Sequence, residues 1–167
     1  MNENITILTT TFYKEGSFRD TIRKKLAIQM IKNARNMNFE VFVVDGGSEK
    51  NFFKTIQNFG AKIFVQKNTG MGASRREVFE LAKQNSKNNI FAWLEPEKID
   101  MINYLSVCAE PILKKEAEFV IPRRVSMESY PENQVCSEIA GNLFWKNLTN
   151  FDFDMWFGVR IMTKKNF

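Results

Sequence analysis

The sequence contains no histidine. Imidazole acid–base chemistry, histidine-dependent triads and histidine-rich zinc sites are therefore excluded. Any catalysis must use carboxylates, lysine, tyrosine, serine, cysteine or a metal held by oxygens. Cysteine is scarce: Cys108 and Cys136 are the two present, too few for a disulfide framework and without a second cysteine at metal-ligand spacing. A reduced, cytoplasmic setting is expected. No apolar run approaches the length of a membrane span, and the polar start Met1 to Glu3 leads into Ile5 to Leu8 without a basic region and apolar signal stretch. Internal repeats, low-complexity tracts and linkers are also missing, so residues 1–167 are expected to form a single domain.

The chain has 167 residues, 44% of them apolar, enough to bury a sizeable core. Its net charge is +5, with basic pairs at Lys24–Lys25, Arg75–Arg76, Arg123–Arg124 and Lys164–Lys165. Such pairs suit an anionic partner, although most surface charge is simply solvated. Nucleic acid is not the expected partner. Aromatics make up 13% of the chain, but phenylalanines at helical spacing read as core, and no recognised motif focuses them.

Along the chain, strands alternate with helices. Ile5 to Thr10, Phe39 to Val44, Ala61 to Val65, Asn89 to Leu94 and Phe119 to Pro122 read as strands. Between them, apolar residues recur at helical spacing from Ile22 to Ala34, at Phe52, Phe53, Ile56 and Phe59, at Val78, Phe79 and Ala82, and from Ile99 toward Pro111. Ser48 is expected to cap the second helix and Gly60 to stop it. Val135 to Leu148 reads as helix, with a final strand within "NFDFDMWFGVRIM". This order predicts an α/β fold with a mostly parallel sheet and helices on both faces.

In such a sheet, ligands bind beyond the carboxyl ends of the strands. "VVDGGS", residues 43–48, places Asp45 at one of those ends, followed by glycines that allow backbone to approach a ligand. The competing reading is that Asp45 caps a helix or turn.

From this stretch onward the chain resembles family 2 glycosyltransferases, the nucleotide-diphospho-sugar transferases of GT-A fold, a three-layer α/β/α sandwich. "TTTFYKEG" is similar to the family's proline-x-tyrosine-asparagine-glutamate motif, with Thr11 at the proline and Tyr13 and Glu15 in place. "VVDGGS" resembles its second-strand signature, in which the aspartate contacts the donor base. "NTGMGASRREVFELA" resembles the third-helix segment, with Arg75 and Ala82 matching. Glu95-Pro96-Glu97 stands where the family has aspartate-x-aspartate. The resemblance implies a donor site of Thr11, Tyr13, Glu15, Asp45, Gly46, Arg75 and Glu95, with Mg²⁺ or Mn²⁺ at Glu95 and Glu97. By itself, Glu-Pro-Glu also reads as a solvated strand-to-helix turn.

Farther along, "EAEFVIPRR" and "GNLFWKNLTNFDFDMWFGVRIM" resemble polyprenyl-phosphate sugar synthases of the dolichol-phosphate mannose synthase kind. That resemblance implies Arg123 or Arg124 near the phosphates, and Asp154 and Arg160 at an acceptor site, with Asp154 as general base for an alcohol acceptor. The chain is short at its C-terminal end for this fold.

The expected activity is transfer of a sugar from a UDP- or GDP-sugar to a polyprenyl phosphate or other glycan or lipid acceptor. The setting would be cytoplasmic, including the cytoplasmic face of a membrane. The alternatives are a catalytically degenerate nucleotide- or carbohydrate-binding protein and a sugar-phosphate nucleotidyltransferase. Trp145, Phe151, Phe153, Trp156 and Phe157 are surplus apolar residues that could be buried in a homo-oligomer, floor an acceptor pocket or belong to the core.

Overall fold

The computed structural model describes residues 2–166; Met1 and Phe167 lie outside the described residues. Six strands form one sheet in the order β3-β2-β1-β4-β6-β5. β1 (Ile5–Thr11) pairs in parallel with β2 (Glu40–Asp45) on one side and β4 (Ile90–Trp93) on the other. These strands are buried almost throughout, β1 including the threonines Thr6, Thr9 and Thr11, because both faces are covered. β3 (Lys62–Val65) forms one edge. β6 (Arg160–Thr163) runs antiparallel between β4 and the two-residue β5 (Phe119–Val120), so the sheet is mostly parallel, as its alternating pattern predicts.

On one face, α1 (Phe18–Asn36), α2 (Lys50–Asn58) and α4 (Leu105–Leu113) bury Met30, Ile31, Phe52 and Ile112 against Ile5, Ile7 and Val43. On the other, α3 (Met71–Asn85) packs Val78, Phe79 and Ala82 on Leu8, Phe42 and Phe91. α1 starts earlier than its apolar spacing suggests, because Ser17 accepts a hydrogen bond from the Asp20 N–H at 3.2 Å and caps the helix ahead of Ile22. α2 departs from expectation at its cap. Glu49, not Ser48, holds that position, while the Ser48 hydroxyl is turned back to Asp45.

The fifth helix, α5 (Glu132–Thr149), differs from the others in having no buried residue. Leu143, Phe144 and Leu148 on it are each more than half exposed, as are Phe151 and Trp156 just beyond. Phe157 instead packs against the main core.

The strand order carries the functional geometry. The chain leaves β1 toward β2 and β3, then crosses to β4 on the opposite side, so the connections diverge at the carboxyl ends of β1 and β4. Thr11 of β1, Asp45 of β2 and Val65 of β3 lie in register at that end, and Leu8 stands beside Trp93. A crevice at such a switch point is the usual ligand site of an open α/β sheet.

Phe91, fully buried on the α3 face, tests this packing. Phe91→Ala should cost about 3–5 kcal/mol, read as a fall in the urea midpoint.

Candidate active site

At the switch point lies an open cleft of about 620 Å³, within the range of nucleotide-sized sites. Its walls come from the end of β1 (Thr11, Phe12), the turn after β2 (Gly46), the loop before α3 and the turn after β4. Each wall has a local cause.

The β2 turn is built on Asp45. Its carboxylate is fully buried and accepts four hydrogen bonds: Gly47 N–H at 2.8 Å and Ser48 N–H at 2.6 Å on Oδ1, the Thr11 hydroxyl at 2.6 Å and the Ser48 hydroxyl at 2.7 Å on Oδ2. Ser48 Oγ in turn accepts from the Tyr13 N–H at 2.9 Å. Asp45 thus ties the ends of β1 and β2 together beneath the cleft and offers no free surface to a base. Gly46 above it is close-set, since a Cβ there would meet Gln66 Oε1 at 3.0 Å and the Phe12 ring at 3.4 Å.

The loop before α3 is fixed by Glu77, which accepts from the N–H groups of Lys67 at 2.9 Å and Asn68 at 2.7 Å. Gln66 donates to the Gly70 carbonyl at 3.1 Å. Gly70 caps α3 at φ +102, a conformation suited to glycine, and no side chain caps the helix. The start of the helix, at Gly70 and Met71, lines the cleft. One turn on, Arg75 is exposed, with its guanidinium stacked 5.0 Å over the Trp93 ring.

Against these geometries, a comparison with protein families matches residues 7–156 to the model described as glycosyl transferase family 2. The chain belongs to glycosyl transferase family 2. Comparison with curated proteins returns no match. Among solved structures, a glucosyl-3-phosphoglycerate synthase from Mycobacterium tuberculosis shares the fold at 11% identity and a TM-score of 0.68, over 98% of this chain and 58% of that one. The same synthase in complex with Mn²⁺, UDP and glucosyl-3-phosphoglycerate gives 11% identity and a TM-score of 0.66, over 98% and 57%. A mycobacterial protein matches at 12% identity and a TM-score of 0.66, over 98% and 54%. This family 2 chain therefore spans somewhat more than half the length of those structures.

The structure brings Thr11, Gly46, Arg75, Glu95 and Glu97 to one cleft. It separates the other expected donor residues from it. Asp45 lies underneath. Tyr13 is 4% exposed, packs edge-on against Phe52, and has a hydroxyl with no hydrogen-bond partner; burial, joined by the field of Glu97, raises its phenol pKa. Glu15 is exposed in the turn before α1 and lines a shallow depression with Lys24 and Glu49. Phe12, one residue from Tyr13 and 51% exposed, is the aromatic of this segment that faces the cleft, a result of the alternation of side chains at the strand end. Gln66, Glu77 and Trp93 also contribute without having been singled out; Gln66 and Trp93, each at the carboxyl end of a strand, carried a positional signal.

Glu95 and Glu97 were expected to hold a divalent ion. Glu97 Oε1 instead accepts from Arg23 Nε at 2.7 Å, and Glu95 Oε2 lies 3.4 Å from Lys98 Nζ. Behind Glu95, the Gly158 backbone is so close that a Cβ would stand 2.6 Å from the carboxyl carbon. Among the described residues, no group of three or more acids, cysteines or histidines is placed to hold a metal. Both carboxylates being engaged by cations, the pair does not fit a resident metal as arranged.

A second cavity, of about 430 Å³, lies between α5 and the segment after β5, lined by Arg123, Val125, Met127, Ile139, Leu143 and Phe153 among others. Arg124 forms its buried back. It binds Asp154 through Nε at 2.8 Å and Nη2 at 2.7 Å, and Nη2 also meets Glu138 of α5 at 2.6 Å. Burial opposes ionisation of Asp154, but hydrogen bonds from Arg124 and Asn142 outweigh it and hold the carboxyl at about 2. Asp154 is therefore a clamp for α5 and a poor base, contrary to the role expected of it. Arg123 points outward and pairs with Asp152 at 3.3 Å, at this second cavity and not among the residues of the switch-point cleft. Arg160 stands across the sheet from Trp93, and its guanidinium donates to the carbonyls of Val159 at 2.6 Å and Met155 at 2.5 Å. Burial lowers its pKa, against the fields of Asp154 and Glu95.

Two outcomes follow. Asp45→Ala leaves two part-buried N–H groups and two hydroxyls, the Thr11 one buried, without their acceptor, so the ligand-free protein should lose about 2–4 kcal/mol in thermal or urea unfolding; a residue that only touched nucleotide would leave that value unchanged. Asp154→Ala removes the two side-chain hydrogen bonds that Arg124 makes to it, while the Glu138 pair remains, and should cost about 1.5–3 kcal/mol. Because the folded pKa of Asp154 is below its ordinary value of 3.8, its contribution is complete above about pH 4 and is lost as the pH falls through about 2. Acid titration of the wild type should show this loss, and that of Asp154→Ala should lack it.

Proposed function

We propose that this chain carries the donor-binding part of a glycosyltransferase that moves a sugar from a UDP- or GDP-sugar to an anionic acceptor. The observation that supports this most is the cleft at the switch point, where the start of α3, which no side chain caps among the described residues, and Arg75, which forms no ion pair among them, line a space of nucleotide size. The exposed ring of Phe12 offers a stacking surface for the base, and Gly46 lets the nucleoside approach the backbone.

The acceptor oxygen forms a bond to the anomeric carbon while the bond from that carbon to the β-phosphate oxygen breaks, its electron pair leaving with the nucleoside diphosphate. Stabilising that leaving charge electrostatically is the main catalytic task. An acceptor alcohol would also need a base. The acids at the second cavity are poor candidates for one: Asp154 is held at about 2, Glu138 is paired with Arg124, and Asp152 lies between Arg123 and Lys146. An acceptor that is already an anion, such as a polyprenyl phosphate, has no proton to lose. The apolar lining from Val125, Met127, Ile139, Leu143 and Phe153, with Arg123 and Lys146 beside it, suits such an amphiphile.

The mycobacterial synthase complexes name UDP-glucose and phosphoglyceric acid. Those compounds supply the comparison. Purified protein with UDP-glucose or GDP-mannose should release nucleoside diphosphate when polyprenyl phosphate is added, and less when the acceptor is phosphoglyceric acid, which reacts through an alcohol. Gly46→Val crowds the Gln66 and Phe12 side chains of the cleft wall and should lower release by about tenfold or more while circular dichroism stays unchanged. Absence of release from either donor with every acceptor would overturn the reading.

A further inference from the structure

The charge arrangement in the donor cleft departs from one built around a divalent ion. Arg23, Lys67 and Arg75 line it with Glu95 and Glu97, three cations against two carboxylates, an excess of one positive charge before any ion is added. Lys98 adds a further cation at Glu95, and Arg160 lies close enough for its charge to interact with both Glu95 and Arg75. A Mg²⁺ site typically needs one or two carboxylates turned inward and free, with substrate phosphate completing the shell. Here Arg23 occupies Glu97 through a 2.7 Å hydrogen bond, and Glu95 is held between Lys98 and the Gly158 backbone. Arg75 is differently placed: no ion pair to an acid is formed by it among the described residues, and its guanidinium carbon lies over the Trp93 ring at 5.0 Å from the centroid, a contact that uses none of its N–H groups. A guanidinium fork held in this way matches phosphate oxygens in pairs.

Resting on the transferase reading, we propose that the donor diphosphate is bound, and its leaving charge neutralised, by this chain's own cations with Arg75 at their centre, without a divalent metal. The two glutamates then serve to orient Arg23 and Lys98 at the mouth of the cleft. Substrate phosphate supplies the acid partner that Arg75 lacks.

The test is calorimetric titration of the whole chain with UDP-glucose and GDP-mannose, in EDTA and in Mn²⁺, for wild type and for Arg75→Met. Arg75 is exposed, so its replacement spares the core. Electron paramagnetic resonance of Mn²⁺ in the same mixtures reads metal capture directly. The expected result is a wild-type Kd that differs by less than about threefold between the two conditions, a weakening of about tenfold or more in Arg75→Met under both, and Mn²⁺ that stays free. A larger gain with Mn²⁺, stoichiometric Mn²⁺ capture, or an Arg75→Met Kd within about threefold of wild type would overturn the inference and leave the transferase reading standing. Binding of neither donor under either condition would overturn the transferase reading, and this inference with it.

Discussion

The buried carboxylate of Asp45 is the point on which the site depends. Four hydrogen bonds converge on its two oxygens, joining the end of β1 to the turn after β2. A buried charge survives when its lone pairs are satisfied, and here the partners come from two elements that must be adjacent for the count to close. The Thr11 hydroxyl, the Gly47 and Ser48 amides and the Tyr13 amide reached through Ser48 are all placed by one group. The part of the cleft wall formed by Thr11, Phe12 and Gly46 is therefore held from beneath.

A second charged assembly does comparable work under different terms. Arg124 joins the segment after β5 to α5 and to the approach to β6 through Glu138 and Asp154. α5 has no buried residue, so these ion pairs, the Asn142 contacts with Asp154 and Met155, and the Trp156 indole against Gly141 carry its attachment. Ion pairs are directional where apolar packing is not, and they fix an orientation even when their net stabilisation is small. The switch-point cleft rests on the main core, whereas the second cavity rests largely on this clamp.

The strands and first helices were legible because their apolar spacing reports burial, and burial is what a regular core determines. Residues that depend on direction were less so. Asp45 and Ser48 are both good acceptors for turn amides, and the sequence could not say that the aspartate would take the turn while the serine became its donor. Tyr13 matches a motif, yet the alternation of a strand end sends it inward and Phe12 outward. Arg123 and Arg124 are adjacent and identical in type, and only the packing of α5 decides which is buried. The pairing of Arg23 with Glu97 joins residues 74 apart in sequence, a distance across which no local pattern speaks.

The sheet edges carry a consequence of their own. One edge is β3, four residues long and led by Lys62, whose ammonium is held by Glu40 at 2.7 Å; the other is β5, with two residues. A strand adding to either edge would find few unpaired backbone groups, and at β3 a charged side chain at the entrance. The fold thus protects itself against growth by strand addition, a recurrent route to fibrous aggregation. Association with any other chain is directed instead to its helices and loops, where side-chain shape and charge can choose the partner.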